Sequence, residues 1–226
     1  MNPANSNLSR SFLWKEKARE QGINLDEVLY QDKKGTYQRL DELGLPHSKT
    51  EIYPCENYMN NLDSIKSFID EGKIIFCRIN PLVKGFPRFF STNIRTFDDF
   101  TKFMNSHKFN HKQYEIHLVQ NGEVTHAGVI ISSDRIIGEI IEGTSTDLHE
   151  GKSEMPLGAE IDSFTGRITF TNKSSEKAAK WLVKAMKLIG AQQKAIKGYF
   201  EFQVSNGRLV FINCQTKGGF TELGVK

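Results

Sequence analysis

The chain is 226 residues long, 38% hydrophobic and 25% charged, which fits one large globular domain or two small lobes and excludes a disordered or collagen-like chain. Its 30 Lys and Arg against 27 Asp and Glu leave a net charge of +3, spread along the chain, so the balance does not call for a nucleic-acid or membrane-surface partner. No apolar run approaches the ~20 residues of a membrane-spanning helix, and Met1 to Leu8 is polar, so the expectation is a cytoplasmic protein with no membrane partner.

In chain order, Ser9 to Gly22 reads as a helix, with Ser11 as its cap and Gly22 as its stop. Asp32 to Gly44 is a second, with Tyr37, Leu40 and Leu43 at helical spacing and Gly44-Leu45-Pro46 ending it. Glu51 to Tyr53 is a short strand, and Leu62 to Glu71 is a helix burying Ile65, Phe68 and Ile69. Lys73 to Asn80 (KIIFCRIN) is the first strong strand, with Pro81 closing it and a loop to Arg88 following. Thr96 to Ser106 is a helix with Phe97, Phe100, Phe103 and Met104 as its stripe.

Strands dominate next. Gln113 to Gln120, Val124 to Ser132 and Arg135 to Glu142 read as an antiparallel meander turning at Asn121-Gly122 and Ser133-Asp134. Gly143 to Gly158 is polar and irregular, and Ala159 to Asp162 with Arg167 to Thr171 reads as a hairpin. Ser174 to Gln192 is the longest helix, apolar on one face and carrying Lys177, Lys180, Lys184 and Lys187 on the other, a solvated face. A final hairpin, Gly198 to Val204 and Arg208 to Cys214, turns at Ser205-Asn206-Gly207. The order implies an α+β fold, and the absence of GxGxxG and GxxxxGK[ST] leaves Rossmann and P-loop readings without support.

Cys55, Cys77 and Cys214 show no CxxC spacing and read as buried small hydrophobes in a reducing compartment. Three constellations carry candidate chemistry. Arg78 is a charge inside an apolar strand and needs a partner, either a salt bridge or a phosphate. With Lys84 and Arg88 it would put three cations near one strand end, and Gly85 would let that loop approach a ligand or hinge as a lid. In the last hairpin Tyr199, Glu201 and Gln203 share a face. Strict alternation on the return strand sets Val210, Ile212 and Cys214 against Phe211, Asn213 and Gln215. The turn brings Glu201 opposite the region of Phe211 to Asn213, so that Glu201 and Asn213 offer oxygens to one point, a donor set that suits Mg²⁺. Glu139 and Glu142 bracket a strand end before Gly143, either an ordinary exit or a hinge lining a nucleotide pocket.

Together these segments resemble an ATP-grasp domain, and more particularly the ATP-binding domain of the phosphoenolpyruvate synthase and pyruvate phosphate dikinase family. KKGTYQRLDELGLPHSKTEIYP is similar to that family's lysine-bearing opening, and IIFCRIN to its arginine strand. EIHLVQNGEVTHAGVIIS is similar to its paired glutamine and glycine-valine strands, IIGEIIEGTSTDLHEGK to its glycine-rich segment, and the last hairpin to its metal-binding strand pair. The resemblance runs from about Lys33 to Gly219 and rests on the shared order of loose motifs.

It implies an ATP-grasp-like, two-lobed fold with largely antiparallel sheets flanked by helices. Residues 1–30 would be a helical extension, 31–110 the N-terminal lobe and 111–226 the C-terminal lobe. Lys33 or Lys34 and Arg78 would meet ATP phosphates, with Arg78 and Lys84 offsetting charge on the transferred phosphoryl group. Glu139 and Glu142 would lie at the adenine and ribose side, and Glu201 and Asn213 would hold Mg²⁺, with Gln215 as a further ligand. The activity implied is a Mg-ATP-dependent phosphotransferase or carboxylate-amine ligase with a small-molecule or protein acceptor. The chain departs from the family in three places. The acidic pair after the arginine strand is missing, the metal pair is one negative charge short of the usual two glutamates, and no arginine follows the last strand. The length also leaves no room for the family's phosphohistidine domain. These departures favour a second reading, a catalytically inactive nucleotide-binding or partner-binding module. A third, nucleic-acid processing, would use Phe86, Phe89 and Phe90 beside Arg88 as a stacking surface.

Overall fold

Ten runs of extended backbone and six α-helices make up the described part of the computed structural model, which covers residues 13–20, 22, 33–72, 74–83, 85–133, 135–150, 156–162, 165, 167–171, 175–190 and 197–216. In chain order these are α1 (Leu13–Glu20), α2 (Lys33–Glu42), β1 (Thr50–Pro54), α3 (Leu62–Glu71), β2 (Ile74–Pro81), β3 (Phe89–Ile94), α4 (Phe97–Ser106) and β4 (Tyr114–Asn121). There follow β5 (Val124–Ser132), β6 (Ile136–Glu142), α5 (Ser145–Glu150), β7 (Leu157–Ile161), β8 (Ile168–Phe170), α6 (Glu176–Gly190), β9 (Gly198–Ser205) and β10 (Arg208–Thr216). Two antiparallel sheets flanked by helices result, the α+β class expected. The expected starts at Ser9 and Ser174 lie outside the described residues.

The chain divides into two compact units, 48–123 and 1–47 with 124–226. The smaller unit holds a sheet in the order β1-β4-β2-β3. Alternation along β2 sends Ile75, Cys77 and Ile79 to one side, where Tyr114, Ile116 and Leu118 of β4 join them. Helices α3 and α4 close that face with Ile65, Phe68, Ile69, Phe100, Phe103 and Met104. Thr96 starts α4 by a reciprocal cap: the Asp99 N–H donates to Thr96 Oγ1 at 3.1 Å and the Thr96 N–H donates to Asp99 Oδ2 at 3.0 Å.

The larger unit holds a sheet in the order β10-β9-β5-β6-β7-β8. Both its faces are covered, which is why β5 and β6 read as nearly unbroken apolar runs. On one face α6 lays Leu182, Ala185, Met186 and Ile189 against Ile130, Ile140, Phe200 and Phe211, and Leu40 and Leu43 of α2 join the same cluster. On the other, Trp14 and Ala18 of α1 and Leu148 of α5 cover Val129, Ile131, Ile141 and Tyr199. Gly128 permits the tight centre of this sheet, since a Cβ there would sit 2.4 Å from the Phe202 ring and 2.6 Å from the Glu139 carbonyl oxygen. Asn206 and Gly207, at φ 49° and 69°, form the turn between β9 and β10 that an Asn-Gly pair favours.

Four expectations are corrected. Asn121-Gly122 does not turn a meander: β4 pairs with β1 and β2, while β5 pairs with β6 and β9 in the other sheet. For the same reason the division falls at 47/48 and 123/124, not at 110/111, because β4 completes the smaller sheet. Phe89–Ile94 is a strand that went unread, since only Ile94 of its six residues is buried and an edge strand carries little apolar signal. Ser145–Glu150, expected to be irregular, is a short helix begun by Thr144, whose hydroxyl accepts from the Asp147 N–H at 3.3 Å.

Candidate functional site

The β9–β10 hairpin sets the candidate site. Tyr199, Glu201 and Gln203 alternate with Phe200 and Phe202, so the polar set points away from the core that holds the two phenylalanines. On β10 strict alternation fails. Phe211 pairs with Phe202, and the next residue in register, Asn213, pairs with Glu201, with a bulge between them. The extra residue moves Asn213 to the face of Glu201 and leaves Phe211 and Cys214 in the core, splitting the Phe211 and Asn213 that alternation put on one face.

The row continues across the sheet. Glu201 pairs with Val129 of β5, and Val129 with Glu139 of β6. Glu139, Val129, Glu201 and Asn213 therefore lie side by side on four adjacent strands, and at the usual strand spacing the two glutamates sit about 10 Å apart at the backbone. Gln215 follows Asn213 on the same face, opposite Tyr199. Glu139 is 1% exposed, Glu201 6% and Asn213 2%.

Helices α1 and α5 complete the surroundings. The Tyr199 hydroxyl donates to Glu201 Oε1, and His149 Nε2 lies 3.0 Å from the same oxygen. The Trp14 ring sits 5.8 Å from Tyr199 and 5.6 Å from His149, centroid to centroid. Burial pushes the Glu139 carboxyl up to about 7, against a hydrogen bond from the Trp14 backbone N–H that favours the charged form. Burial, and then the charge of Glu201, push the Tyr199 phenol well up. Glu139 Oε2 and Gln215 Oε1 are buried with no hydrogen-bond partner among the described residues.

The other expected residues lie elsewhere. Glu142, three residues beyond Glu139, falls on the opposite side of β6, exposed, with its carboxylate 3.9 Å from His126 Nε2. Arg78 belongs to the smaller unit, on the side of β2 away from the core, with its guanidinium 5.1 Å from the centre of the Phe76 ring and with His117 as its register partner. On that face His117 Nε2 meets Glu115 Oε1 at 2.5 Å. Lys84 lies outside the described residues, and so do the side chains of Lys33 and Lys34, whose backbone opens α2. Phe89 and Phe90 point to opposite sides of β3, Phe89 against Phe109 and Tyr114 and Phe90 against Phe76, so they do not form one stacking surface. The three cysteines are free and buried, and burial pushes the Cys55 thiol up to about 12 and the Cys77 thiol up as well.

His149 and Trp14 had gone unread. The signal for His149 was Thr144-x-x-Asp147, a helix-starting pattern just after Gly143. Trp14 offered only an aromatic residue on a short helix. Among the described residues no group of three or more His, Cys, Asp or Glu is arranged to hold a metal, so a cation here would rely on amide oxygens beside Glu201. A groove of about 570 Å³ beside α6, lined by Phe170, Ala179, Val183 and Leu188 with Lys180 and Lys184 among its other walls, is formed by other residues than the row. No helix among the described residues is long and apolar enough to cross a membrane.

No protein-family model matches the chain, and no curated protein does. Solved structures are similar to it in part. A D-alanyl-alanine synthetase A from Vibrio cholerae has 12% identity and a TM-score of 0.47 over 86% of this chain and 57% of that one. An N5-carboxyaminoimidazole synthase from Aspergillus clavatus, in complex with ADP and 5-aminoimidazole ribonucleotide, has 14% identity and a TM-score of 0.48 over 90% and 50%. The macrocyclase MdnC from Microcystis aeruginosa, bound with its precursor peptide MdnA, has 14% identity and a TM-score of 0.42 over 96% and 67%. The chain spans about half the length of the first two. At these identities and scores the likenesses assign neither a family nor a reaction to the chain.

Proposed function

We propose that the chain is an ATP-grasp-type, Mg-ATP-dependent ligase or phosphotransferase acting on a small-molecule or protein acceptor. The row Glu139–Val129–Glu201–Asn213 carries the reading, because it sets two carboxylates and an amide side by side on one buried sheet face. The motif order from Lys33 to Gly219 supports it. The donors fit a hard divalent cation: a carboxylate and an amide oxygen in register, with an unpartnered buried Glu139 oxygen in the same row. Glu201 and Asn213 would hold Mg²⁺, with Gln215 beside them. When bound, the ion would neutralise phosphate oxygens and so favour phosphoryl transfer.

The chain's own residues would do the rest. The Tyr199 hydroxyl donates to the Glu201 carboxylate, and Glu139 presents an acceptor for a donor group on the nucleotide. A lysine at 33 or 34, at the start of α2, would supply positive charge to the phosphates. Glu142 keeps only an outer role at the nucleotide's rim.

Equilibrium dialysis with labelled ADP, with and without Mg²⁺, tests this. Binding should need the metal and fall about tenfold or more in Glu201→Ala, as expected for the loss of a charge-assisted contact. Unchanged binding in that variant would remove Glu201 from the site. A second reading, a module that binds nucleotide without turnover, is favoured by one observation: Glu201 Oε1 already accepts from the Tyr199 hydroxyl. Metal-dependent binding with no phosphate release, across a panel of amine and carboxylate acceptors, would select it.

A further inference from the structure

The face that carries the row is closed by the chain's own first helix. Trp14 is 3% exposed and Ala18 fully buried, in one cluster with Val129, the residue between the two glutamates. The Trp14 backbone N–H reaches Glu139, and its indole packs on Tyr199 and His149, both neighbours of Glu201. Lys15 Nζ donates to the His149 carbonyl oxygen at 2.9 Å, tying α1 to α5. We infer that α1 is a lid on the Glu139–Glu201 row, shut in this conformation, which must lift before a metal–nucleotide complex can reach the carboxylates.

One observation separates a lid from a permanent layer of core: the interface is poorly matched in polarity. Trp14 Nε1 and Glu139 Oε2 are both buried without a hydrogen-bond partner among the described residues, whereas settled interiors pair nearly all such atoms. The Lys15–His149 contact and the Trp14–Glu139 contact join α1 to the elements around the row. A ligand that satisfies the buried glutamates favours the open form. The apparent affinity is then the intrinsic affinity reduced by the fraction of molecules already open.

This inference rests on the nucleotide reading above, and the test keeps the two apart. The chain has two tryptophans, Trp14 and Trp181, so Trp181→Phe on α6 leaves Trp14 as the sole indole reporter. Acrylamide quenching of that full-length protein should find Trp14 shielded when free and exposed at saturating Mg-ADP. Dialysis should show Trp14→Ala binding Mg-ADP at least about tenfold more tightly than the parent, with Lys15→Ala shifted the same way by less. Lys15→Ala leaves the buried Trp14 and Ala18 in place, so it reports even if Trp14→Ala is poorly folded. Mg-ADP binding with Trp14 still shielded, and with Kd unchanged in both variants, overturns the lid and leaves the nucleotide site standing. No Mg-ADP binding by the parent or by either variant overturns both.

Discussion

Glu139 shows what one buried carboxyl does to a sheet. It accepts from the Trp14 backbone N–H and stands across Val129 from Glu201 in the sheet, and burial lifts its carboxyl to about 7 from the ordinary 4.5. Between those values the folded protein keeps a proton that the unfolded chain releases, so stability falls as pH rises from about 4.5 to about 7 and stays low above that. The full effect is on the order of 3 kcal/mol. Glu139→Gln should therefore stabilise the protein against urea at about pH 8 and change little near pH 5, in chelator-treated samples. Equal effects at both values would show that the carboxyl titrates normally. The neighbourhood of Glu201 was legible, because the Asn206-Gly207 turn brings it opposite the region of Phe211 to Asn213. The pairing with Asn213 and its face were not, because the register that follows from the turn would set Ile212 against Glu201 and the bulge that shifts it has no glycine or proline to announce it.

Among the elements, α4 has the strongest local instructions. Thr96 and Asp99 satisfy each other's backbone N–H groups, and Phe100, Phe103 and Met104 then fall on the buried side. Thr96→Ala should cost about 1 kcal/mol and lower the melting temperature, while Thr101→Ala, whose hydroxyl only returns to the Phe97 carbonyl, should cost less. The strands were legible as strands wherever apolar residues crowd, as in IIFCRIN and HAGVIIS, and β5–β6 and β9–β10 paired as their turns suggested. Partner choice was less legible. Asn121-Gly122 has the composition of a hairpin turn, yet β4 is fully paired by β1 and β2, so β5 finds β9 some 70 residues later. Local turn chemistry cannot report a competition decided by distant strands.

At the scale of the whole chain, two lobes were foreseeable from length and motif order, but their boundaries depended on that same choice of partner. The three thiols now serve as separate reporters: Cys55 and Cys77 belong to the core of the smaller unit, and Cys214 to that of the larger. All three should resist a thiol reagent in native buffer. In rising urea, Cys214 should become reactive at a different concentration from Cys55 and Cys77, as read by mass spectrometry after short labelling pulses; a single shared midpoint would show the units to be one cooperative body. The larger unit is closed by contacts between distant parts of the sequence. The Phe211 N–H donates to the Pro46 carbonyl oxygen at 2.7 Å, and the Cys214 thiol to that of Thr36 at 3.9 Å. During synthesis, then, residues 48–123 emerge with every strand of their sheet in hand, while α2 must wait on the ribosome for β10. Birth order thus assigns the first folding event to the inserted unit. It leaves α2 without its packing partner until β10 arrives.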